Sequence, residues 1–471
     1  MSGSDRPTED ERSPEWHAGT ARCDITPERS MWMAGFGARD RPSEGVRQSL
    51  CASALALEDR EGKRTAIVSV EVLFVGRSLR AAVARRCAKE YGVEPRRLLL
   101  NATHTHQGPV TRIATETVER DGETRRVPRT PESATFIPIE YYGVDEELRE
   151  RTIAYRERLE DVLVALVGEA LDELAPAALS FGRGRCGSAM SRRRPYEDGI
   201  AFRPYADGPV DHEVPVLAVE DPDGEGDEAM RALLFGYACH TTTQFIYEFS
   251  GDWAGHTRRF LEERFENATA IFLQGCGGDQ KAYPQRRPRY VEGHARAVAL
   301  GVEAAIESVC RPVRGALRTT YEEIEIEFEA PPSRDELEAR AESDDHGERW
   351  RAEYLLSVLE DRGEIPTGYP YPIQALGFGT DLTLVALAGE VLVGYSLRLK
   401  DELEGPLWVA GYSNDAFTYV PTERALAEGG YEGDRVIENT GLPGRWKPGL
   451  EDRIVRKSRS LVDRVRTPSS R

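Results

Sequence analysis

The regular alternation of apolar and amphipathic stretches constrains the fold of this chain more than any other feature. A predicted buried strand, "TAIVSVEVLFV", is followed by an amphipathic helical pattern, "RSLRAAVARRCAKEYGV", and by a second strand, "RRLLLNA". The alternation continues through "VPVLAVED", "MRALLFGYACH", "WAGHTRRFLEERF", "ATAIFLQGCGGD" and "VEGHARAVALGVEAAIESVC". Strands that alternate with helices are typical of α/β folds. We therefore predict an α/β protein with a mixed central β-sheet system flanked by helices on both sides.

The chain shows no internal repeat and no low-complexity linker, so we predict one large domain over residues 16–471. Residues 1–15 are polar and acidic and are expected to be disordered. Residues 114–142 lack periodicity and are predicted to form a long loop, which makes them a candidate lid. A long helix is expected over 144–174 and a terminal amphipathic helix over 449–466.

Size and charge exclude several classes of function. A chain of 471 residues with 40% hydrophobic content can bury a large core. The 81 acidic residues outnumber the 62 basic ones, which gives a formal net charge of -19. Because binding to phosphates needs a positive surface, neither nucleic acid nor an anionic membrane is expected to be the main partner.

The N-terminus and the cysteines predict the compartment. The opening "MSGSDRPTEDERSPEWHAG" has no basic segment followed by an apolar one, so it does not resemble a signal peptide. No apolar run approaches the roughly 20 residues that a membrane span needs. The seven cysteines are odd in number and form no CxxC pair, which favours buried thiols in a reducing compartment. We therefore predict a cytoplasmic protein.

Five apolar strands end in polar or metal-competent residues, namely "LLLNATHTH", "LLFGYACHTTT", "AIFLQGCGGDQ", "LVALAGE" and "LWVAGYSNDAFTY". In α/β sheets ligands bind outside the carboxyl ends of the strands, so these five ends are candidates for one shared pocket. The ends carry His104, His106, His240, Glu390 and Tyr419. Nitrogen and oxygen ligands of this kind suit zinc or a similar ion.

Each of these residues also has a purely structural interpretation. On a regular strand His104 and His106 would share one face and form a hydrogen-bonded pair, and His240 would cap a turn. Glu390 lies among apolar residues, where an unpaired carboxylate is costly to bury, but a helix N-terminus would compensate its charge. Tyr419 is a candidate packing aromatic. The residue types alone leave both interpretations open.

The order of the motifs resembles that of the neutral (alkaline, non-lysosomal) ceramidase family. The opening "AGTARCDITPERSMWMAGFGARDRPSEGV" is similar to the family's N-terminal signature, and "NATHTHQGP" is similar to its His-Thr-His-Ser-Gly-Pro motif. "YACHTTT" and "LAGE" take the places of its second histidine motif and its metal-binding glutamate. "GYSNDAFTYVPTERALAEGGYEG" resembles its Ser-Asn-x-x-x-x-Tyr block with the downstream Tyr-Glu-Gly. The resemblance extends over about residues 18–435 and implies the family's catalytic domain alone, without its C-terminal immunoglobulin-like domain.

The resemblance implies a ligand set and three catalytic residues. His104, His240, Glu390 and Tyr419 would hold a catalytic zinc ion. A second group, placed beside the metal, would act on the substrate. His106 would be the acid/base residue, Tyr431 would face the reacting carbonyl, and Arg192 would join it, with a slippage of one residue toward Arg193 possible in the alignment.

The sequence departs from the family at a segment whose serine has been proposed as a nucleophile. This segment is "GDQKAY" here, with Lys281 at the serine position. We expect Lys281 either to orient a substrate carboxylate or to pair with Asp279 or another acidic neighbour. Without the family's second domain or an apolar surface that faces a membrane, the enzyme is expected to prefer a soluble N-acyl substrate over membrane ceramide.

Three functional hypotheses follow. The first is a zinc-dependent hydrolase of an amide bond, a ceramidase-like N-acyl hydrolase that uses metal-activated water and forms no acyl-enzyme. The second is a thiol hydrolase that uses Cys276 in "QGCGGD", a strand-to-turn corner similar to nucleophile elbows. The third is a protein of this family that binds metal or ligand without turnover.

Overall fold

The computed structural model describes residues 15–120, 123–128 and 137–467, so the predicted disorder of residues 1–15 lies almost wholly outside the described residues. The strands are β1 (Trp16–Asp24), β2 (Gly45–Val46), β3 (Cys51–Asp59), β4 (Arg64–Val70), β5 (Leu98–Ala102), β6 (Thr115–Arg120), β7 (Glu123–Pro128), β8 (Ala175–Arg185), β9 (Ala189–Tyr196), β10 (Gly199–Tyr205), β11 (Glu213–Glu220), β12 (Met230–Tyr237), β13 (Glu248–Phe249), β14 (Thr269–Gln274), β15 (Gln280–Ala282), β16 (Arg311–Pro312), β17 (Leu317–Glu327), β18 (Gly368–Phe378), β19 (Leu382–Leu387), β20 (Glu390–Val391), β21 (Leu407–Ala410) and β22 (Tyr419–Val420). The α-helices are α1 (Arg77–Tyr91), α2 (Glu146–Asp172), α3 (Asp252–Arg264), α4 (Pro288–Val309), α5 (Arg334–Ala341), α6 (His346–Arg362), α7 (Val393–Glu402), α8 (Glu423–Glu428) and α9 (Leu450–Arg466).

A nine-stranded mixed sheet forms the larger of two central layers. Its strands follow the order β14-β12-β11-β8-β1-β3-β4-β5, and β16 pairs with β8. The two end pairs, β4 with β5 and β12 with β14, are parallel, whereas the pairs between them are antiparallel. The predicted mixed sheet is therefore present, and the two strands that precede the histidine motifs, β5 and β12, lie toward opposite edges of it.

A second sheet of four strands packs face to face against the first. Its order is β17-β18-β19-β21, with β19 and β21 parallel. One apolar cluster contains side chains from both sheets, including Leu55 and Leu234 from the larger sheet and Leu384 and Trp408 from the smaller one. The central layer is thus a sandwich of two sheets, because each sheet buries one apolar face against the other.

Helices cover the two outer faces of this sandwich. One cluster joins α1 and α2 to β3, β4 and β5, and another joins α3 and α4 to β11, β12 and β14. Side chains of α7 and α9 pack on the outer face of the smaller sheet. The prediction of a mixed central sheet system flanked by helices is confirmed, with four layers in all.

The long helix predicted over 144–174 is α2, and its ends have clear local causes. Asp145 caps its N-terminus by accepting a hydrogen bond from the backbone N–H of Leu148. The periodic apolar positions Leu159, Leu163 and Val167 are buried against the large sheet. The terminal helix predicted over 449–466 is α9.

The lack of periodicity predicted one long loop over residues 114–142, but the described part of this segment contains regular elements. Residues 121–122 and 129–136 lie outside the described residues. Strands β6 and β7 pair as an antiparallel hairpin, and a short 3-10 helix spans Ile139–Tyr142. Cross-strand pairing over six residue pairs stabilises a segment whose sequence shows little alternation. The role of this segment as a lid stays a prediction.

All seven cysteines are free, as the lack of paired spacing predicted. Within the described part of the chain, no helix is both long enough and apolar enough to cross a membrane.

Candidate metal centre

The ends of the two sheets meet at one edge of the sandwich. Isolated bridges join Asn101 to Ser413 and Gly275 to Ala410, so the ends of β5 and β14 in the large sheet touch the end of β21 in the small one. The side-chain amide of Asn101 also donates to the backbone carbonyl of Gly411, at 2.8 Å. The polar strand ends singled out in the sequence therefore converge, although they come from two sheets rather than one.

His104 follows β5 in an unusual backbone conformation. Its φ is +62°, in the left-handed region that residues other than glycine seldom adopt. Its backbone N–H donates to the carbonyl of Val72, and its ring Nδ1 lies 3.0 Å from the carbonyl of Leu73. A histidine whose Nδ1 donates to a carbonyl carries its lone pair on Nε2. The regular strand assumed for His104 and His106 thus ends before them, at Ala102.

His240 is held in the same manner on the neighbouring loop. Its ring Nδ1 lies 2.7 Å from the carbonyl of Gly277, and its backbone N–H donates to the carbonyl of Gln280. Its Nε2 is therefore also left without a proton when the ring is neutral. Burial, followed by the nearby Arg192 guanidinium, lowers the pKa of His240 to about 3, so the ring is neutral at pH 7.

Glu390 lies between these two imidazoles. Its Oε2 is 3.2 Å from His104 Nε2 and 3.2 Å from His240 Nε2. Burial acts to raise the pKa of this carboxyl, and only positive charge beside its oxygens, on protonated imidazoles or on a cation, lowers that pKa below its usual range. Glu390 belongs to β20, which pairs in parallel with β22, and helix α7 begins only at Val393. The β20–β22 pairing therefore places Glu390 beside the fourth predicted ligand, Tyr419.

Tyr419 closes the cluster. Its Oη lies 3.3 Å from His240 Nε2 and accepts a hydrogen bond from Arg192 Nη2 at 2.9 Å. Burial raises the pKa of Tyr419 well above its usual value, against the opposite effect of the Arg192 charge. The phenol is therefore neutral at pH 7. All four residues that the resemblance implied as zinc ligands lie within one buried cluster.

The donor set fits a metal cation. Among the residues that the structure describes, neither carboxylate oxygen of Glu390 has a hydrogen-bond partner, although both oxygens are buried. The Nε2 lone pairs of His104 and His240 face the same carboxylate, which is repulsive unless a positive charge lies between them. Four ligands at about 2.0–2.2 Å from one zinc ion are separated from each other by roughly 3.3–3.6 Å in a tetrahedron. The observed separations of 3.2 to 3.3 Å are close to that range.

His106 lies beside this set but is held differently. Its Nε2 is 3.1 Å from His104 Nε2, and ligand atoms of His104, His106 and His240 all lie within 4.8 Å of one another. Its Nδ1, however, is buried without a hydrogen-bond partner in the described residues. Burial, followed by the two neighbouring histidines, lowers the pKa of His106 well below its usual value. The ring is therefore neutral, and no carbonyl fixes its tautomer.

Of the two arginines that the alignment left open, Arg192 is the one that reaches the cluster. Besides Tyr419, it contacts Glu432 Oε1 through Nε at 2.8 Å and the carbonyl of Gly278 through Nη2 at 2.6 Å. Arg193 contacts the other oxygen of Glu432, at 3.0 Å, and Glu428, at 3.3 Å. The buried Glu432 thus fixes both guanidinium groups. The sequence analysis did not single out Glu432, and the only signal for this residue was its position beside Tyr431 in the Tyr-Glu-Gly block.

Tyr431 lies on the outer side of the cluster. Its ring centroid is 5.6 Å from that of Tyr419 and 5.3 Å from that of Phe202. Sequence reasoning also missed Tyr412, whose ring centroid is 4.4 Å from that of His104. The tyrosine in "GYSND" gave no chemical signal that it would pack against a histidine 308 residues earlier.

Cys276 does not have the surroundings of a nucleophile. Its side chain is fully buried in the cluster beneath the smaller sheet. Burial raises its pKa far above the usual range for a thiol. A reactive cysteine needs an accessible, electropositive setting that lowers its pKa. These observations do not support the thiol-hydrolase hypothesis.

Lys281 has no ion-pair partner among the described residues. Asp279, one of the partners expected for it, instead accepts a hydrogen bond from the backbone N–H of Val393, at 2.9 Å. The backbone of Lys281 forms a bridge with His240, and its side chain extends toward the ring of Phe202. The expected pairing with Asp279 is therefore not found.

Comparisons with known proteins bear on the family and the fold of this chain. The family model for neutral/alkaline non-lysosomal ceramidase, N-terminal, matches residues 16–119. Neutral ceramidases of Drosophila pseudoobscura pseudoobscura and Drosophila melanogaster are each 29% identical over 100 residues. That stretch is 21% of this chain and only 14% of either relative. The match to the family model thus includes His104 and His106 but not His240, Glu390 or Tyr419.

Two solved structures share the fold over nearly the whole chain. Neutral ceramidase from Pseudomonas aeruginosa matches with a TM-score of 0.69 and 19% identity, over 98% of this chain and 76% of that one. A ceramidase complexed with C2 matches with a TM-score of 0.69 and 17% identity, over 98% of this chain and 77% of that one. The resemblance to the neutral/alkaline ceramidase family is therefore confirmed, together with the fold that it implied.

Proposed function

We propose that this ceramidase-like chain is a zinc-dependent hydrolase that cleaves the amide bond of an N-acyl substrate. The observation that carries the proposal is the convergence of two Nε2 lone pairs on the buried carboxylate of Glu390. His104, His240, Glu390 and Tyr419 would hold the ion. When bound, zinc supplies activated water and polarises the substrate carbonyl.

The remaining residues of the site provide proton transfer and charge stabilisation. His106 is neutral at pH 7, so it can accept a proton at Nε2, the nitrogen that faces His104, and return it to the leaving amine. The Arg192 guanidinium and the Tyr431 hydroxyl lie on the Tyr419 side, where they can stabilise negative charge on the carbonyl oxygen. Hydrolysis adds water across the C–N bond and yields a carboxylate and an amine. No protein nucleophile is required.

The proposal is tested by assaying the zinc-loaded protein on short N-acyl amines and on ceramide in vesicles. We expect release of the fatty acid and the amine, in equal amounts, from at least one of these substrates. We also expect no burst of amine in the first turnover, because no acyl-enzyme accumulates. Full zinc occupancy without hydrolysis of any of them would instead favour the alternative of a metal-binding protein without turnover.

The two adjacent histidines are expected to behave differently when they are replaced. His106→Ala should lower kcat by about 10²-fold or more while zinc content stays near one per chain, because an acid/base group is lost and no ligand is removed. His104→Ala should lose zinc and activity together. Metal analysis and steady-state kinetics on both variants check this. Loss of zinc in His106→Ala would show that ligand and acid/base residue are assigned the wrong way round.

A glycine in the N-terminal signature sets the position of His106. Gly35 has φ +94°, and a Cβ at this position would lie 2.4 Å from His106 Nδ1. Gly35→Ala should therefore displace the imidazole and lower kcat by about tenfold or more, in addition to a backbone strain of about 1–3 kcal/mol.

Gly62→Ala is the matched control for Gly35→Ala. Gly62 also has positive φ, at +73°, but a Cβ there would meet nothing within 4 Å. Both variants should lose similar stability in denaturant unfolding, and only Gly35→Ala should lose activity. Equal activity in the two variants would mean that Gly35 has no part in placing His106.

A further inference from the structure

A cavity of about 520 Å³ opens beside the candidate metal centre and has two chemically different walls. One wall is apolar and includes Phe36 and Phe245, whose ring centroids are 4.8 Å apart. The Phe36 ring also contacts His106, at 4.9 Å between centroids. The apolar wall therefore leads from the cavity to the residue proposed as acid and base.

The other wall is cationic. Lys281, Arg286 and Arg287 line it, and the described residues around the cavity include no Asp or Glu side chain. Within the described part of the chain, none of these three cations has a carboxylate within ion-pair distance. The fourth cation of the lining, Arg47, is neutralised by Glu248 at 2.6 Å.

The three unpaired cations lie together on a chain whose net charge is negative. The chain has a net charge of -19, and arginines elsewhere on its surface are commonly paired, as in Arg22 with Glu262 and Arg259 with Glu263. Three cations that share one cavity repel each other unless an anion joins them. The excess of positive charge is therefore local and lies on one wall of the cavity.

Backbone structure holds the cationic wall in place. The N–H of Arg286 donates to the carbonyl of Thr243, three residues after His240, at 2.6 Å. Helix α4 begins at Pro288, also in the lining, so its N-terminal dipole adds positive potential to this wall. The Lys281 ammonium lies 5.8 Å from the centre of the Phe202 ring, and the Arg192 guanidinium lies 4.5 Å from the same ring. The Phe202 ring thus lies between the Lys281 ammonium and the Arg192 guanidinium, which contacts Tyr419 of the candidate metal centre.

We propose that the substrate of this site is an N-acyl amine whose amine portion carries an anionic group, a carboxylate or a phosphate, held by Lys281, Arg286 and Arg287. This inference rests on the proposed function and names its substrate class. The apolar wall then accepts aliphatic carbon of the substrate, and the cationic wall fixes the anion near the scissile amide. Charge-assisted hydrogen bonds of this kind are among the stronger ones, and their loss is expected to cost about tenfold or more in affinity.

The kinetic test uses three substrates with the same acyl chain: N-hexanoyl-β-alanine, N-hexanoyl-phosphoethanolamine and neutral N-hexanoyl-ethanolamine. We expect kcat/KM to be at least about tenfold higher for one or both anionic substrates than for the neutral one. The better of the two identifies the anion. Equal or higher kcat/KM for the neutral substrate would overturn the inference.

Variants assign this preference to the cationic wall. Lys281→Met should lower the ratio of anionic to neutral kcat/KM by about tenfold, mainly through KM, and Lys281→Arg should restore most of it. The control is Lys89→Met, which removes an exposed lysine from the end of α1 and should leave the ratio unchanged. An unchanged ratio in Lys281→Met would also overturn the inference.

A binding measurement separates this inference from the proposed function. Calorimetry compares two ligands that contain no amide bond, 3-(hexylthio)propanoate and the neutral 3-(hexylthio)propan-1-ol, on the parent protein and on Lys281→Met. Tighter binding of the carboxylate, lost in the variant, supports the anion site even if no amide is cleaved. Equal binding of the two ligands to the parent protein contradicts the anion site, whatever the activity.

Discussion

Glu390→Gln should lose its zinc and lower kcat/KM by about 10³-fold or more, since a neutral amide cannot supply the negative charge of the buried carboxylate that faces two imidazoles. The substitution keeps the shape of the side chain, so the fold is expected to remain intact. Zinc content by elemental analysis and turnover on a short N-acyl amine are the two measurements. Removing zinc from the parent protein with a chelator should reproduce the loss of activity.

Glu71→Gln is the control for this variant. Glu71 is also a buried glutamate, but it pairs with Arg258 at 3.2 Å and accepts from the backbone N–H of Cys51. Its replacement should change stability and leave zinc content near one per chain. If Glu390→Gln kept both its zinc and its turnover, Glu390 would have no place in the metal centre.

Arg192→Met should have the second largest effect, and it should act on stability and activity together. The variant leaves Glu432 buried with only one of its two arginines and removes the donor to Tyr419. Breaking a buried ion pair from one side typically costs about 3–5 kcal/mol, and we expect a loss toward the lower end because Arg193 remains. The loss of positive charge near the carbonyl oxygen should lower kcat by about 10²-fold or more, with zinc content near normal.

Arg193→Met separates the two effects. Arg193 shares Glu432 but contacts Glu428 and the carbonyl of Gly429 instead of Tyr419. Denaturant unfolding should show a comparable loss of stability for both variants, whereas kinetics should show a large fall in kcat for Arg192→Met alone. If the two variants lost kcat equally, Arg192 would act only through the fold.

Local sequence patterns predicted the elements of the fold but not how the two sheets combine. The helix α2 and the strands β5, β12 and β14 were predicted from the pattern of apolar residues, because this pattern is complete within each short segment. The face-to-face packing of the two sheets depends on residues that are far apart in sequence, such as Leu55 and Trp408, which belong to one apolar cluster. A local pattern contains no information about such contacts. The hairpin of β6 and β7 was missed because cross-strand pairing, not alternation, stabilises it.

The sequence likewise predicted some residues of the candidate site and missed others. The strand ends suggested one shared pocket for His104, His106, His240, Glu390 and Tyr419. The family resemblance then divided these five residues into four zinc ligands and one acid/base residue, His106. The left-handed backbone of His104 was not predictable, because its hydrogen bonds go to the carbonyls of Val72 and Leu73, about 30 residues earlier in the chain. Glu432 was missed because it lies in a turn and its partner Arg192 lies 240 residues earlier, on β9.

Crystals of the zinc-loaded protein, measured on both sides of the zinc absorption edge, test the central claim most directly. We predict one anomalous peak per chain, within about 2.3 Å of His104 Nε2, His240 Nε2, Glu390 and Tyr419 Oη, with His106 outside bonding distance. A peak bound by His104, His106 and His240 without Glu390, or no peak at this edge of the sandwich, would contradict the account.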